Sequence, residues 1–518
     1  MKKILTSLLF LPILCLCICS QAQSKLSIDK VYNVTLKNSG TIIANEQIKG
    51  YYFLYQSDKI DKKTNEYTLQ IVDENLNKLK DIKFQDSKDI VLLESAFNGT
   101  AMSFAFFNDK EKTLEYRLYG MDGKQSFSYS KELDKKSEEY FKMQLASKES
   151  EESENQNEFD IPGKGFLSVT PLRENKKYTY DVTFYSSEKK RTWTFNPIED
   201  GKFATAQFLG ANDSVALFEV LTKEKLMSKE MQSTILGISL ENGRKVFDVR
   251  SQDGKNQLYP MNIASFAGSN NFLVSGPYYE GTDDVLRDKN DGMGVWVMNS
   301  QGKILSSKYM SWTKDISKYL KVDEKGRISD LGYVYIHRII QTDDGKVFAI
   351  CEGYKKVADG LGIAMNVLGG GYRAGVTKLK ITDMLMIQLS KNFEVTGAKI
   401  YEKNSNSFSL STGSDFVTPH TMAVIAKASG AFDYTYTQVG KDHASFTSAY
   451  TDYERTKGYK GMTFNSISYY GGKISTDKID LKTEASNLRV LPAKPGSVLM
   501  MEYFKKDKRL DLHMEKIN

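Results

Sequence analysis

Cysteine and tryptophan are scarce in this 518-residue chain, which holds 4 of the first, 3 of the second and only 9 prolines. Cys15, Cys17 and Cys19 all lie near the N-terminus, and Cys351 stands alone in the rest, so no disulfide framework can hold the fold together. Stability must come from core burial, which a chain of this length can supply. An excess of one charge is also missing. Lys plus Arg number 71 against 65 Asp plus Glu, a formal +6, too small over this length for an electrostatic nucleic-acid footprint. Beyond the N-terminus no apolar run reaches the roughly 20 residues of a membrane helix. There is no Gly-x-Ser-x-Gly elbow, no His-Glu-x-x-His and no Cys-x-x-Cys, so serine-hydrolase, zincin and dithiol chemistry lack a starting residue. The four histidines, His337, His420, His443 and His513, are too scattered for a three-histidine metal site.

What is present begins with Lys2-Lys3, an apolar run over residues 4–18, and Ser20-Gln21-Ala22 at the small positions a signal peptidase reads. This pattern predicts an export signal over residues 1–22 and a single domain over residues 23–518, located in the periplasm, at the cell surface or outside the cell. A lipid anchor at Cys19 is the alternative. Against it, Ile18 is bulky where lipid-signal processing favours a small residue.

The rest of the chain repeats. Short apolar runs such as Phe104-Ala105-Phe106-Phe107, Ala216-Leu217-Phe218-Glu219 and Val347-Phe348-Ala349-Ile350 recur, each preceded by a turn at Gly50, Gly99, Gly163, Asn212, Asn270, Gly345, Gly440 or Gly496. Gly and Asn supply the positive φ that tight hairpins need. A second set of turns follows at Glu74-Asn75, Asp122-Gly123, Ser187-Glu188, Asn242-Gly243, Gln301-Gly302, Lys391-Asn392 and Gly471-Gly472. Each unit is therefore a four-stranded meander, and the last lacks its final strand. Residues 31–36 alternate like a strand and are expected to fill that gap, closing a ring with no open sheet edge. The expected fold is all-β: a β-propeller of eight four-stranded blades closed by strand exchange between the termini, with seven blades as the alternative and short helical insertions on one face.

Extra length is confined to residues 134–160, 280–292, 314–330, 355–380 and 403–431. In a meander these segments either join second to third strands or lead to the next blade, and both kinds of connection open on one face. That elaborated face is the expected binding surface, with Tyr278, Tyr279, Tyr354, Tyr372, Arg373, Tyr434 and Tyr453 as candidate contacts. Thr418-Pro419, residues 421–429 and Gly430 read as a capped helix. Asp283, Asp284, Asp288 and Asp291 gather carboxylates of the kind calcium takes, but without EF-hand spacing; a solvated acidic loop is the simpler reading. Residues 369–374 formally match a nucleotide fingerprint but lack the βαβ unit it needs. No cofactor or resident metal is expected.

The export signal, together with irregular repeats such as Asp344-Gly345-Lys346-Val347-Phe348-Ala349 and Ser300-Gln301-Gly302-Lys303-Ile304, resembles uncharacterised secreted propeller-like proteins of Gram-negative bacterial envelopes. The resemblance implies a fold and a compartment, and it brings no functional residues with it. The expected function is non-catalytic binding of a protein, peptide or envelope glycan in the envelope or outside the cell, with no nucleic acid. A glycan-active hydrolase or lyase using carboxylates at the channel mouth is the alternative, since paired acids need only suitable separation.

Overall fold

The computed structural model describes residues 25–517 except 45–46, 150–155, 175, 198–202, 226–230, 266–268, 282–288, 360–376, 410–417 and 457. Eight four-stranded antiparallel blades form a ring, a β-propeller, with 63% of residues in strands and 6% in helices. The first blade runs Gly40–Ala44, Gln47–Lys59, Thr64–Asp73 and Lys78–Ser87 from the axis outward. The sixth runs Tyr333–Gln341, Val347–Ala358, Thr377–Leu389 and Val395–Tyr401, and the seventh Tyr434–Val439, Ser445–Arg455, Lys460–Tyr470 and Lys473–Asp480.

Burial changes systematically from the axis outward, because blades stack face to face. A second strand such as Ala101–Asn108 is buried at every position, whereas an outer strand such as Lys473–Asp480 is largely exposed. Apolar side chains accordingly gather in the seams between blades. Tyr52, Leu54 and Ile71 of the first blade meet Met102, Phe104 and Tyr119 of the second, and Phe348, Met384 and Met386 of the sixth meet Phe446, Ile467 and Tyr469 of the seventh. Several inner strands carry a β-bulge, including those at Leu92/Glu94, Ile336/Arg338 and Tyr434/Tyr436. A bulge adds an unpaired residue and re-aims its side chain.

The ring closes between the termini, but not through the expected segment. Lys25–Asp29 is the outer strand of the eighth blade, pairing antiparallel with Arg509–Lys516 from Lys25↔His513 to Asp29↔Arg509. Residues 31–36 lie inside the seam between the eighth and first blades, with Val31 and Leu36 fully buried. Their apolar spacing records that burial. The segment is held by the Val31 amide donating to Lys508 O at 2.8 Å, and by the Tyr503 hydroxyl donating to Val31 O at 3.2 Å and Tyr32 O at 3.1 Å.

Gly50 also differs from expectation, since it sits within the strand Gln47–Lys59 and not in a turn. A Cβ there would stand 2.1 Å from the Val72 carbonyl oxygen. Close backbone approach requires glycine at this position, not positive φ. True turn glycines such as Gly99 and Gly345 have φ of +92° and +79°.

All long connections of the described residues open on one face. A helix, Lys135–Glu149, follows the second blade, and Asp134 caps it by accepting from the Ser137 amide at 2.7 Å. A second helix, Pro419–Ala428, has Thr418 as its N-cap. It buries Met422, Ala423 and Ala426 against Tyr335, Tyr354, Leu379 and Phe432 of the sixth blade and its linker. A small hairpin, Gln252–Asp253 with Asn256–Leu258, extends the fifth blade on the same side; the repeat spacing carried no sign of it.

Candidate functional site

The sixth blade places a glutamate where its second strand changes from apolar to mixed. Val347 to Cys351 fill the seams, and Glu352 follows, also fully buried. Its Oε2 lies 3.1 Å from His337 Nε2. His337 is the bulged residue of the inner strand, and its ring stacks on Tyr434 at 4.6 Å and 13° and packs against Phe432. His337 is thus a packed, hydrogen-bonded histidine.

Lys403 meets Glu352 from the linker to the seventh blade, with Nζ 3.1 Å from Oε1 and both side chains fully enclosed. The same ammonium bonds Asp433. Glu352 also accepts the main-chain amides of Asp433 and Tyr434, each at 3.2 Å, where the inner strand of the seventh blade begins. Lys403 and Asp433 thus tie together the two ends of the long excursion between these blades, and Glu352 anchors both. One ammonium faces two carboxyls, so burying both carboxyls as anions would leave an uncompensated negative charge. Burial accordingly raises Glu352, with Lys403 opposing, and pushes Asp433 up to about 7 against the same opposing charge. Burial works to lower Lys403, but the two carboxyls beside it raise it overall.

Asp433 is the member of this cluster that reaches water. It lines a cavity of about 500 Å³ on the elaborated face, together with Asn404, Asn406, Asp452, Tyr453, Arg455 and Met462. Asn404 donates to Asp452 from its main-chain N–H at 3.0 Å and its side-chain amide at 3.2 Å. Asn406 Nδ2 donates to Asp433 Oδ1 at 2.7 Å and to Ala431 O at 3.1 Å. Arg455 lies over the Tyr453 ring, 5.3 Å from its centroid. A hollow at the foot of the linker between the fifth and sixth blades, about 480 Å³ and lined by Arg327, Tyr333 and Lys355 among others, opens beside it in the ring.

Of the expected contact residues, Tyr453 lines the cavity and is exposed, and Tyr434 is half-buried against His337. Tyr278, Tyr279 and Tyr354 are buried, each at the upper end of a second strand where another segment covers it. Tyr279 lies under the helix that carries His420, 6.4 Å from that ring. Tyr372 and Arg373 lie outside the described residues, as do Asp283, Asp284 and Asp288. Asp291 is described, and its carboxylate accepts the Glu280 amide at 2.9 Å. Among the described residues no group of three or more His, Cys, Asp or Glu is placed to hold a metal ion. Sequence reasoning missed Glu352, Lys403 and Asp433. Their one signal was opposite charges at the two ends of an insertion.

A further buried acid lies outside this cluster. Glu219, on a second strand like Glu352, accepts from Ser233 Oγ at 3.1 Å with no cation beside it among the described residues, and burial pushes it up to about 8. The folded state therefore keeps a proton that the unfolded chain releases, so stability falls as pH rises from about 4.5 to about 8. Glu219→Gln should abolish that decline. At about 1.4 kcal/mol per pKa unit the difference amounts to several kcal/mol, measurable by urea unfolding at pH 5, 7 and 9. Parallel pH profiles for the two proteins would contradict the assignment.

Among solved structures, the WD40 domain of SCAP from fission yeast is 9% identical, covering 95% of this chain and 94% of its own at a TM-score of 0.37. A eukaryotic initiation factor is 10% identical over 86% of this chain and 96% of its own, at 0.32. A prolyl endopeptidase matches at 10% identity and 0.40, over 91% of this chain and 55% of its own. At these scores the likenesses carry no argument about function, and the propeller rests on the strand pairing above. No curated protein matches the chain. The family that does match, over residues 1–518, is described as a family of unknown function, DUF6770, and the chain belongs to it.

Proposed function

We propose that the protein is exported and works as a non-catalytic binder of a protein, peptide or envelope glycan through its elaborated face. The observation that carries this reading is the one-sidedness of the ring. Among the described residues, the helices Lys135–Glu149 and Pro419–Ala428, the extra hairpin and the two cavities above lie on the face of interblade and second-to-third-strand connections, while the opposite face carries short turns. Binding residues concentrate on loops held by a rigid scaffold, and concave sites with a few convergent polar groups are where ligands sit. A second reading has one observation behind it. Asp433 and Asp452 line the same cavity, and Asp433 is poised to keep a proton, as an acid pair in a glycan-active enzyme would require.

Replacing residues 403–431 by a short turn is unsuitable as a test, because that segment supplies Lys403 and the helix covering Tyr354. Point variants on the surface serve better. Recovered from its native envelope with Gln23 at its N-terminus, the protein should retain its binding partner through washing. Tyr453→Ala and Arg455→Ala should lose that partner, and Tyr470→Ala on the opposite face should keep it. Loss only in Tyr470→Ala would place the working surface on the other side.

A further inference from the structure

We propose that the cavity between the sixth and seventh blades is a subsite for a neutral, hydroxyl-rich ligand, one glycosyl unit in size. This rests on the reading that the elaborated face binds, and it names the chemistry that one part of that face recognises. The argument is an inventory of donors and acceptors. The side-chain amide nitrogens of Asn404 and Asn406 are turned inward, toward Asp452 and toward Asp433 and Ala431 O. A carboxylate and a carbonyl can only accept, so the amide orientations are fixed. The Oδ1 atoms of both asparagines receive no hydrogen bond among the described residues. Asp452 accepts from Asn404 and from the Tyr453 amide, and Asp433 from Lys403 and Asn406. Since a carboxylate has about four acceptor positions, both have capacity left. Apart from the Ser405 hydroxyl, which can donate or accept, the polar groups of the floor are thus acceptors waiting for donors.

The rim is the reverse. Arg455 makes no ion pair or hydrogen bond among the described residues and rests on the Tyr453 ring, presenting donors and no acceptor. Charge excludes the simpler ligands. Lys403 compensates Glu352 and also bonds Asp433, and Arg455 lines the same cavity as Asp452. An ammonium ligand would find Arg455 repelling it at the rim, and a phosphate or sulfate would meet Asp452 and Asp433 at the floor. A hydroxyl group donates to the floor and accepts from the rim. The exposed parts of Tyr453 and Met462, 39% and 38% accessible, supply an apolar wall for the C–H face of a pyranose ring. The volume of about 500 Å³ lies within the usual range for small-molecule sites, about 300–1,000 Å³.

The test uses the full mature chain and five probes: the methyl glycosides of glucose, galactose and N-acetylglucosamine, with ethanolamine and inorganic phosphate as charged comparisons. Saturation-transfer NMR and calorimetric titration should show at least one glycoside bound, and neither charged probe bound more tightly. Tyr453→Ala and Asp452→Ala should each weaken that glycoside about tenfold or more, as loss of a wall or a charged acceptor implies. Tyr470→Ala should leave its affinity unchanged. Tyr453 is exposed, so its truncation leaves the fold intact and a loss there cannot be ascribed to unfolding. No glycoside binding, tighter binding of ethanolamine or phosphate, or equal affinity in the cavity variants would each overturn the proposal. A macromolecular partner lost in Tyr453→Ala while every glycoside fails would end this inference and leave the elaborated-face reading standing.

Discussion

Lys403→Met is expected to destabilise the protein by about 3–5 kcal/mol, the usual result of removing one partner from a buried ion pair. The side chain is fully enclosed, and its ammonium pairs with both Glu352 and Asp433. Methionine fills similar volume, so lost packing is a minor contribution. What remains is two carboxyls without that ammonium, Glu352 still beside the His337 ring, each favouring its protonated form. The penalty should therefore grow with pH: small near pH 5, where both carboxyls can hold protons, and full near pH 8. Adding Glu352→Gln should recover part of the loss, because the amide removes one stranded charge. Equilibrium urea unfolding of the two single variants and the double variant at both pH values measures this coupling. Strictly additive effects, or a penalty independent of pH, would show that the three groups do not act as a unit.

Removal of Lys25–Asp29 is the second large effect. Five register pairs would vanish from the eighth blade, leaving Arg509–Lys516 as an open edge, and exposed edges recruit other chains. The truncated protein should self-associate and unfold over a broader range than the intact ring, because closure couples the first and last blades. Residues 31–36 act differently. Leu36→Ala empties a fully buried position in the seam between the eighth and first blades. It should cost about 2–5 kcal/mol as a cavity without exposing an edge, so this variant should stay monomeric. Light scattering beside thermal unfolding separates the two outcomes. An unchanged, cooperative transition after the truncation would mean that the ring does not depend on its N-terminal strand.

The ring was legible because its turns are chemically marked. Gly99, Gly163, Gly345 and Gly496 all take positive φ, and every one stands at a first turn. The same reasoning failed at Gly50, where glycine answers to a neighbouring carbonyl across the sheet. Closure was foreseen with the wrong segment. Leu26 and Ile28 do alternate, but residues 31–36 carry more apolar character because Val31, Val34 and Leu36 are buried in the seam. The site was largely illegible. An aromatic at the end of a strand reads identically whether it faces water, as Tyr453 does, or a covering helix, as Tyr354 does. Glu352, Lys403 and Asp433 are far apart in sequence, and only the return of the long excursion to its starting point brings them together.

Hydrogen exchange on the protein alone and in complex with whatever partner it retains on recovery from its own cells addresses the working face most directly. Slowed exchange is expected in the upper ends of Ser445–Arg455 and Lys460–Tyr470 and in the linker around Asn404 and Asn406, with the turns at Gly99, Gly345 and Gly471 unchanged. Protection confined to those turns, with the cavity rim exchanging as in the free protein, would contradict the account.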